Sequence, residues 1–109
     1  MPIREISVEQ LSESIAAGTG PALVDVRTEG EQAIATLPDG ILIPLHDLSD
    51  RVDELAHLRA VPVVVYCHHG VRSLTGAAIL QAAGFEDVAS LRGGIDAWTL
   101  RIDPRVARY

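Results

Sequence analysis

The run Val61-Pro62-Val63-Val64-Val65-Tyr66 constrains this chain more than any other stretch. Apart from its proline it is apolar and largely β-branched throughout. Such a segment fits a strand buried on both faces, the situation of a central strand in a parallel sheet. It is far too short to cross a bilayer, which takes about 20 apolar residues as a helix.

The segments around it alternate between strand and helix patterns. Ile3 to Ile6 reads as a short first strand. Ser7 follows as a helix N-cap, with Gln10 three residues on as in a capping box. Val8, Leu11, Ile15 and Ala16 share one helical face, and Gly18 to Pro21 ends that helix. Ala22 to Val26 is a compact apolar run and a second buried strand. Asp25 and Arg27 lie two apart at its end, so they point to the same side. Thr28 to Ile34 reads as a short helix, and Leu37-Pro38-Asp39-Gly40 as a turn. Ile41 to Ile43 is a strand closed by Pro44; Asp47 to Leu58 reads as one helix with Leu48, Val52, Leu55 and Leu58 on a stripe. Ser73 to Ala83 is a helix stopped by Gly84, Val88 to Leu91 a last strand, and Ile95 to Leu100 a final short helix after Gly93-Gly94. Strands separated by helices predict an α/β fold: a central parallel sheet of about five strands with helices on both faces.

The length of 109 residues suits one domain spanning 1–109. With 48% hydrophobic and 22% charged residues, the chain can bury a real core without staples. Its single cysteine allows no internal disulfide, in keeping with a reducing cytoplasm. The start of the chain is polar and lacks the apolar stretch of a signal peptide, so a soluble, cytoplasmic protein with no membrane association is expected. The formal net charge of -6 disfavours nucleic acid as a partner and would slow the approach of small anions. An anionic substrate therefore needs a strong local site.

Cys67-His68-His69-Gly70-Val71-Arg72-Ser73 offers one. Cys67 directly follows the central strand and precedes a loop that opens a helix. In open α/β sheets this carboxyl end is where ligands bind. A loop feeding a helix N-terminus presents free N–H groups and the positive end of the helix dipole, and successive amides in it form an anion nest. Cysteines at helix N-termini or beside cations titrate at roughly 3.5–7.5 rather than about 8.5, so a reactive thiolate is expected at Cys67. Gly70 tolerates a positive φ in the tight loop, and Arg72 adds a forked cation. A nucleophile whose substrate or product is anionic fits this set.

These residues are similar to a known family. Val64 to Ser73 resembles the active-site loop of single-domain rhodaneses. Three further stretches match in order: Leu23-Val24-Asp25-Val26-Arg27 with Glu31, Ile41-Leu42-Ile43-Pro44-Leu45, and Leu91-Arg92-Gly93-Gly94-Ile95-Asp96-Ala97-Trp98. The chain departs from the family where a Gly-His-Ile-Pro-Gly-like segment usually stands; here it reads Ala35-Thr36-Leu37-Pro38-Asp39, a change that bears on local packing. The resemblance implies a rhodanese fold and sulfurtransferase activity. Cys67 would take a sulfane sulfur from a small anionic donor such as thiosulfate and become a persulfide cradled by the amides of His68, His69, Gly70, Val71, Arg72 and Ser73. The sulfur would pass to cyanide, a thiol or a partner protein. No metal or organic cofactor is implied, and a monomer or weak dimer is expected.

Two rivals share the fold. Rhodanese-like phosphatases, and arsenate reduction with them, use a loop one residue longer between Cys and Arg; the four residues here suit sulfur better. A sulfur-relay module that carries persulfide for a partner would keep the same cysteine. Metal binding by Cys67, His68 and His69 is disfavoured, because adjacent side chains in a tight turn diverge. His68 and His69 read as exposed loop residues that matter through their backbone, although a protonated ring would add positive charge near a persulfide. Arg27 and Glu31 are spaced for a local ion pair. The resemblance also suggests that Asp25 orients the active loop by accepting its backbone hydrogen bonds. Trp98 reads as a core plug, and Arg105 to Tyr109 as surface packing without chemistry.

Overall fold

A computed structural model describes residues 2–109, in which Val63–Tyr66 is the middle strand of a five-stranded parallel sheet. The strands are β1 (Arg4–Ile6), β2 (Ala22–Asp25), β3 (Ile41–Leu42), β4 (Val63–Tyr66) and β5 (Val88–Leu91), in the spatial order β1-β5-β4-β2-β3. Pro62 lacks an N–H and stays outside β4, but its carbonyl accepts from Ala22 N at 3.0 Å and helps align the start of β2. Val24 pairs with Val65 and Asp25 with Tyr66. This register sets the carboxyl ends of β2 and β4 side by side.

The helices are α1 (Val8–Ala16), α2 (Glu29–Ile34), α3 (Leu45–Arg51), α4 (Arg72–Ala82) and α5 (Gly94–Arg101). Side chains of β4 alternate between two cores. Val63 and Val65 pack with Leu48 of α3 and Ala77 and Leu80 of α4. Val64 and Tyr66 pack on the other face with Val8 and Leu11 of α1 and Ile95 and Trp98 of α5. Both sheet faces are therefore covered, as a fully apolar central strand requires.

The capping box at α1 forms as the sequence predicts: Gln10 N donates to Ser7 Oγ at 3.1 Å, and Ser7 N donates to Gln10 Oε1 at 2.8 Å. One element differs from expectation. The helix expected over Asp47 to Leu58 is instead α3 followed by a 3₁₀ segment, Val52–Leu58. Val52, Leu55 and Leu58 are spaced by three, which a 3₁₀ helix stacks on one line, and Leu55 is fully buried by that winding. Asp39 in the Ala35–Asp39 departure takes φ 62°, a left-handed position that aspartate tolerates. Ala35 and Leu37 on either side of Thr36 are buried, so the altered segment still packs. Among the described residues, no helix is long and apolar enough to cross a membrane.

Gly94 opens α5 at φ 60°, where a Cβ would collide with the carbonyl oxygens of Cys67 and His68. Gly94→Ala should destabilise the fold by about 2–3 kcal/mol in urea unfolding; a loss below about 0.5 kcal/mol, the scale of an ordinary surface change, would contradict this account.

Candidate active site

β4 carries the alternation of side chains one residue past its end, so Cys67 turns into the core with Val63 and Val65 and is 1% exposed. The chain then turns through His68 to Val71 into α4. Val71 is the N-cap of α4 and makes no side-chain cap bond, which leaves N–H groups of the loop and first turn for another acceptor. The cysteine sulfur fills that role. Gly70 N donates to Sγ at 3.1 Å and Ser73 N at 3.3 Å. A helix N-terminus favours negative charge on that sulfur. Gly70 has φ 96°, and a Cβ there would stand 3.0 Å from Gly93 N and 3.2 Å from Leu91 O. A side chain at that position would push the loop off the neighbouring turn.

A second helix end holds the loop from the other side. Ile95 N donates to Cys67 O at 2.9 Å, and Asp96 N donates to His68 O at 3.1 Å. A trans peptide points its C=O and N–H in opposite directions, so these bonds turn the N–H groups of His68 and His69 away from α5. Ser73 adds a hydroxyl: its Oγ lies 3.4 Å from Sγ and 2.7 Å from Ser90 Oγ, and both serines are fully buried. Ser90 escaped the sequence reading. Its signal was a hydroxyl inside the otherwise apolar strand Val88 to Leu91.

Asp25 and Arg27 sit beside this loop because Val26 N donates to Tyr66 O at 3.1 Å. They form a fully buried ion pair: Arg27 Nε and Nη2 donate to the two carboxylate oxygens at 2.9 and 2.8 Å. Asp25 Oδ1 also accepts from Arg27 N at 3.0 Å. Asp25 thus fixes Arg27, and the expected bonds from Asp25 to the active loop are not made; a carboxylate saturated by its own neighbour has little left to offer. Arg27 reaches on to Ala35 O at 2.7 Å and to the Tyr109 hydroxyl at 2.9 Å. Burial alone would lower the pKa of its guanidinium, but the bonds to Asp25 and Tyr109 outweigh that and raise it above arginine's ordinary value.

The expected Arg27–Glu31 ion pair is also replaced. Arg27 finds only the main-chain oxygen of Glu31, at 3.5 Å. Glu31 is the third residue of α2, and its carboxylate turns back to the N-cap Thr28 and across to Arg72. Arg72 Nη1 and Nη2 donate to Oε1 and Oε2 at 2.6 and 2.9 Å. Arg72 is therefore at the loop as expected, but as half of an ion pair. Its pKa is raised, chiefly by Glu31 and to a smaller extent by the charge of Cys67.

His68 is half-buried, contrary to the reading of it as an exposed loop residue. Its ring stacks between His69, at a centroid distance of 3.8 Å, and Tyr109, at 3.9 Å. Its Nε2 bonds the main-chain oxygen of Tyr109 at 2.8 Å. The segment read as inert surface packing thus reaches the site: the Tyr109 hydroxyl donates to Glu31 Oε2 at 2.7 Å. No motif marked Tyr109, and only its aromatic character in a charged tail set it apart. His68, His69 and Asp96 bring possible ligand atoms within 4.8 Å of one another. The two imidazoles are stacked, so their in-plane lone pairs run side by side rather than to one point, and Asp96 already accepts from Arg108 at 3.0 Å. Trp98 is buried on the α5 face and borders a surface cavity of about 410 Å³ with Ile15, Leu23 and Pro38, away from Cys67.

Comparison with known proteins places this fold in a family. A family model described as Rhodanese-like domain matches residues 7–101. A protein of Allochromatium vinosum named Sulfurtransferase is 39% identical over 105 residues, covering 96% of each chain. Thiosulfate sulfurtransferase GlpE of Pseudomonas syringae is 39% identical over 79 residues, 72% of this chain and 73% of that one. A crystal structure of a rhodanese-related protein from Thermoplasma volcanium superposes with a TM-score of 0.82 at 28% identity, covering 97% of this chain and 99% of that one. These relatives support a sulfurtransferase role.

The Arg72 guanidinium holds the Glu31 carboxyl well below the usual carboxylate range. An unfolded chain takes up that proton first, near pH ~4.3. The stabilisation is thus complete above that value and declines as pH falls below it. Glu31→Gln removes this share, so the urea midpoint of the variant should fall less steeply than that of the unmodified chain between about pH 4.5 and 3; equal slopes would show that the pair does not contribute.

Proposed function

The chain belongs to the rhodanese-like domain family, and on that premise we propose that it transfers sulfane sulfur from a small anionic donor such as thiosulfate, through a persulfide on Cys67, to a thiophilic acceptor. The observation that carries this reading is the pair of N–H bonds from Gly70 and Ser73 to a buried Sγ at the N-terminus of α4. They stabilise negative charge on the sulfur without a metal and without a base to be protonated.

In the first step the Cys67 thiolate attacks the outer sulfur of thiosulfate. A new S–S bond forms at Cys67, the S–S bond within thiosulfate breaks, and sulfite leaves with the electron pair. The terminal sulfur of the persulfide is an anion. On this reading the amides of His68, His69, Gly70, Val71, Arg72 and Ser73 would cradle it, with Gly70 N and Ser73 N already on Sγ, and Ser73 Oγ can donate to it. In the second step cyanide or a thiolate attacks that terminal sulfur, the persulfide S–S bond breaks, and Cys67 leaves as the thiolate it began as. Asp25 and Arg27 support the site from β2, and His68 flanks it. A lone cysteine that must stay reduced fits a reducing compartment such as the cytoplasm.

One observation favours a protein as acceptor or donor. Val71 and Leu74, three residues apart at the start of α4, are 73% and 36% exposed, an apolar pair next to the Cys67 loop that a protein surface could cover and a small anion would not use. Efficient transfer to cyanide points to a small-molecule enzyme; slow turnover points to a relay.

Treating the protein with thiosulfate should add the mass of one sulfur, which cyanide then removes, and Cys67→Ser should abolish both the gain and the activity while keeping the fold. A Cys67→Ser variant that still forms thiocyanate would end the reading. Arg72→Ala both removes a cation and leaves Glu31 unopposed, so the KM for thiosulfate should rise by about tenfold or more; an unchanged KM would exclude Arg72 from donor binding.

A further inference from the structure

Tyr109 is the residue at the site that the proposed sulfur transfer leaves without a role. It is held at four points. Its ring lies on His68 with planes 10° apart, its main-chain oxygen bonds His68 Nε2, its hydroxyl oxygen accepts from Arg27 Nη1, and its O–H donates to Glu31 Oε2. Arg108 anchors the same segment by an ion pair with Asp96 at the start of α5. Such a connected set is more than casual packing.

The hydrogen-bond directions are forced. The guanidinium of Arg27 can only donate, so the phenol oxygen accepts from it. The single phenol proton then points to Glu31. Burial pushes the Tyr109 hydroxyl up to about 12, so it keeps that proton throughout the ordinary pH range. A cation on its oxygen also makes the phenol a stronger donor.

Glu31 Oε2 is the oxygen that Arg72 Nη2 also uses. Left alone, the carboxylate would largely cancel the one cation in the Cys67 loop, Arg72. A donated O–H draws charge from the carboxylate and occupies one of its acceptor positions. The chain of contacts thus runs from Arg27 through Tyr109 and Glu31 to Arg72.

We propose that Tyr109 is a positioning residue that sets the preference of the Cys67 site for anionic over neutral reactants, acting through Glu31 on Arg72. The inference builds on the reading that the sulfur donor is an anion. It makes the neighbourhood of Cys67 more positive than the Arg72–Glu31 pair alone would, in a chain whose net charge of -6 repels anions.

The test compares the alkylation rates of Cys67 by iodoacetate, an anion, and iodoacetamide, its neutral analogue. Cys67 is the sole cysteine, so the label reports on it alone. Tyr109→Phe keeps the ring on His68 and removes only the hydroxyl. It should lower the iodoacetate-to-iodoacetamide rate ratio by about threefold while the iodoacetamide rate stays the same. In a Glu31→Gln background, adding Tyr109→Phe should leave the ratio unchanged, since the charge being moderated is gone. An unchanged ratio in the single variant, a fall that persists with Glu31→Gln, or a parallel change in both rates would overturn the proposal. Alkylation needs no sulfur transfer, so a protein that fails to turn over thiosulfate yet shows the expected ratios would refute the donor assignment and leave the role of Tyr109 standing.

Discussion

The site depends on the close approach of two helix ends to one loop. Gly94 brings α5 so near that its first N–H groups bond the carbonyls of Cys67 and His68, and no side chain fits between. With those carbonyls held, the loop peptides turn their N–H groups the other way, and the sulfur accepts from Gly70 N in the loop and from Ser73 N in the first turn of α4. The position of Sγ therefore follows from backbone geometry on both sides. Long, mobile side chains have little part in it, and amides fixed by a packed backbone need no reorganisation when charge develops.

The side-chain cations around the loop are paired. Arg27 has Asp25, Arg72 has Glu31 and Arg108 has Asp96. A pair of opposite charges projects little field beyond its own length, so these residues chiefly tie β2, α2, α4, α5 and the final segment to one another. Asp25–Arg27 is the extreme case, fully buried and bonded at two points, where removing either partner would strand a charge in the core. Under the proposed function, attraction for an anionic donor is then left to the amide dipoles of the loop and the helix end, with Arg72 contributing as far as Glu31 releases it.

Much of this architecture was legible in the chain. The apolar run Val61 to Tyr66 marked the central strand, which the structure begins at Val63, and Ser7 with Gln10 marked the start of α1 because both halves of a capping box are local. Cys67 and Gly70 were identifiable for the same reason: the turn between β4 and α4 is a short-range structure. The 3₁₀ winding of Val52–Leu58 was missed, since apolar residues three apart fit either helix and the choice is made by packing against the core.

What the sequence by itself determined is therefore local: the strand that delivers Cys67, the tight turn and the helix after it, the capping box of α1, and a family resemblance carried by short motifs along the chain. Only the tertiary structure decided the partners. Glu31 chose Arg72 over Arg27, Asp25 kept Arg27 to itself, Ser90 met Ser73, and Tyr109 crossed the molecule to reach His68 and Glu31. The physical reason is sequence separation. Glu31 and Arg72 are 41 positions apart and Tyr109 and Glu31 are 78, so their meeting depends on how the sheet and its helices stack, which no local spacing encodes.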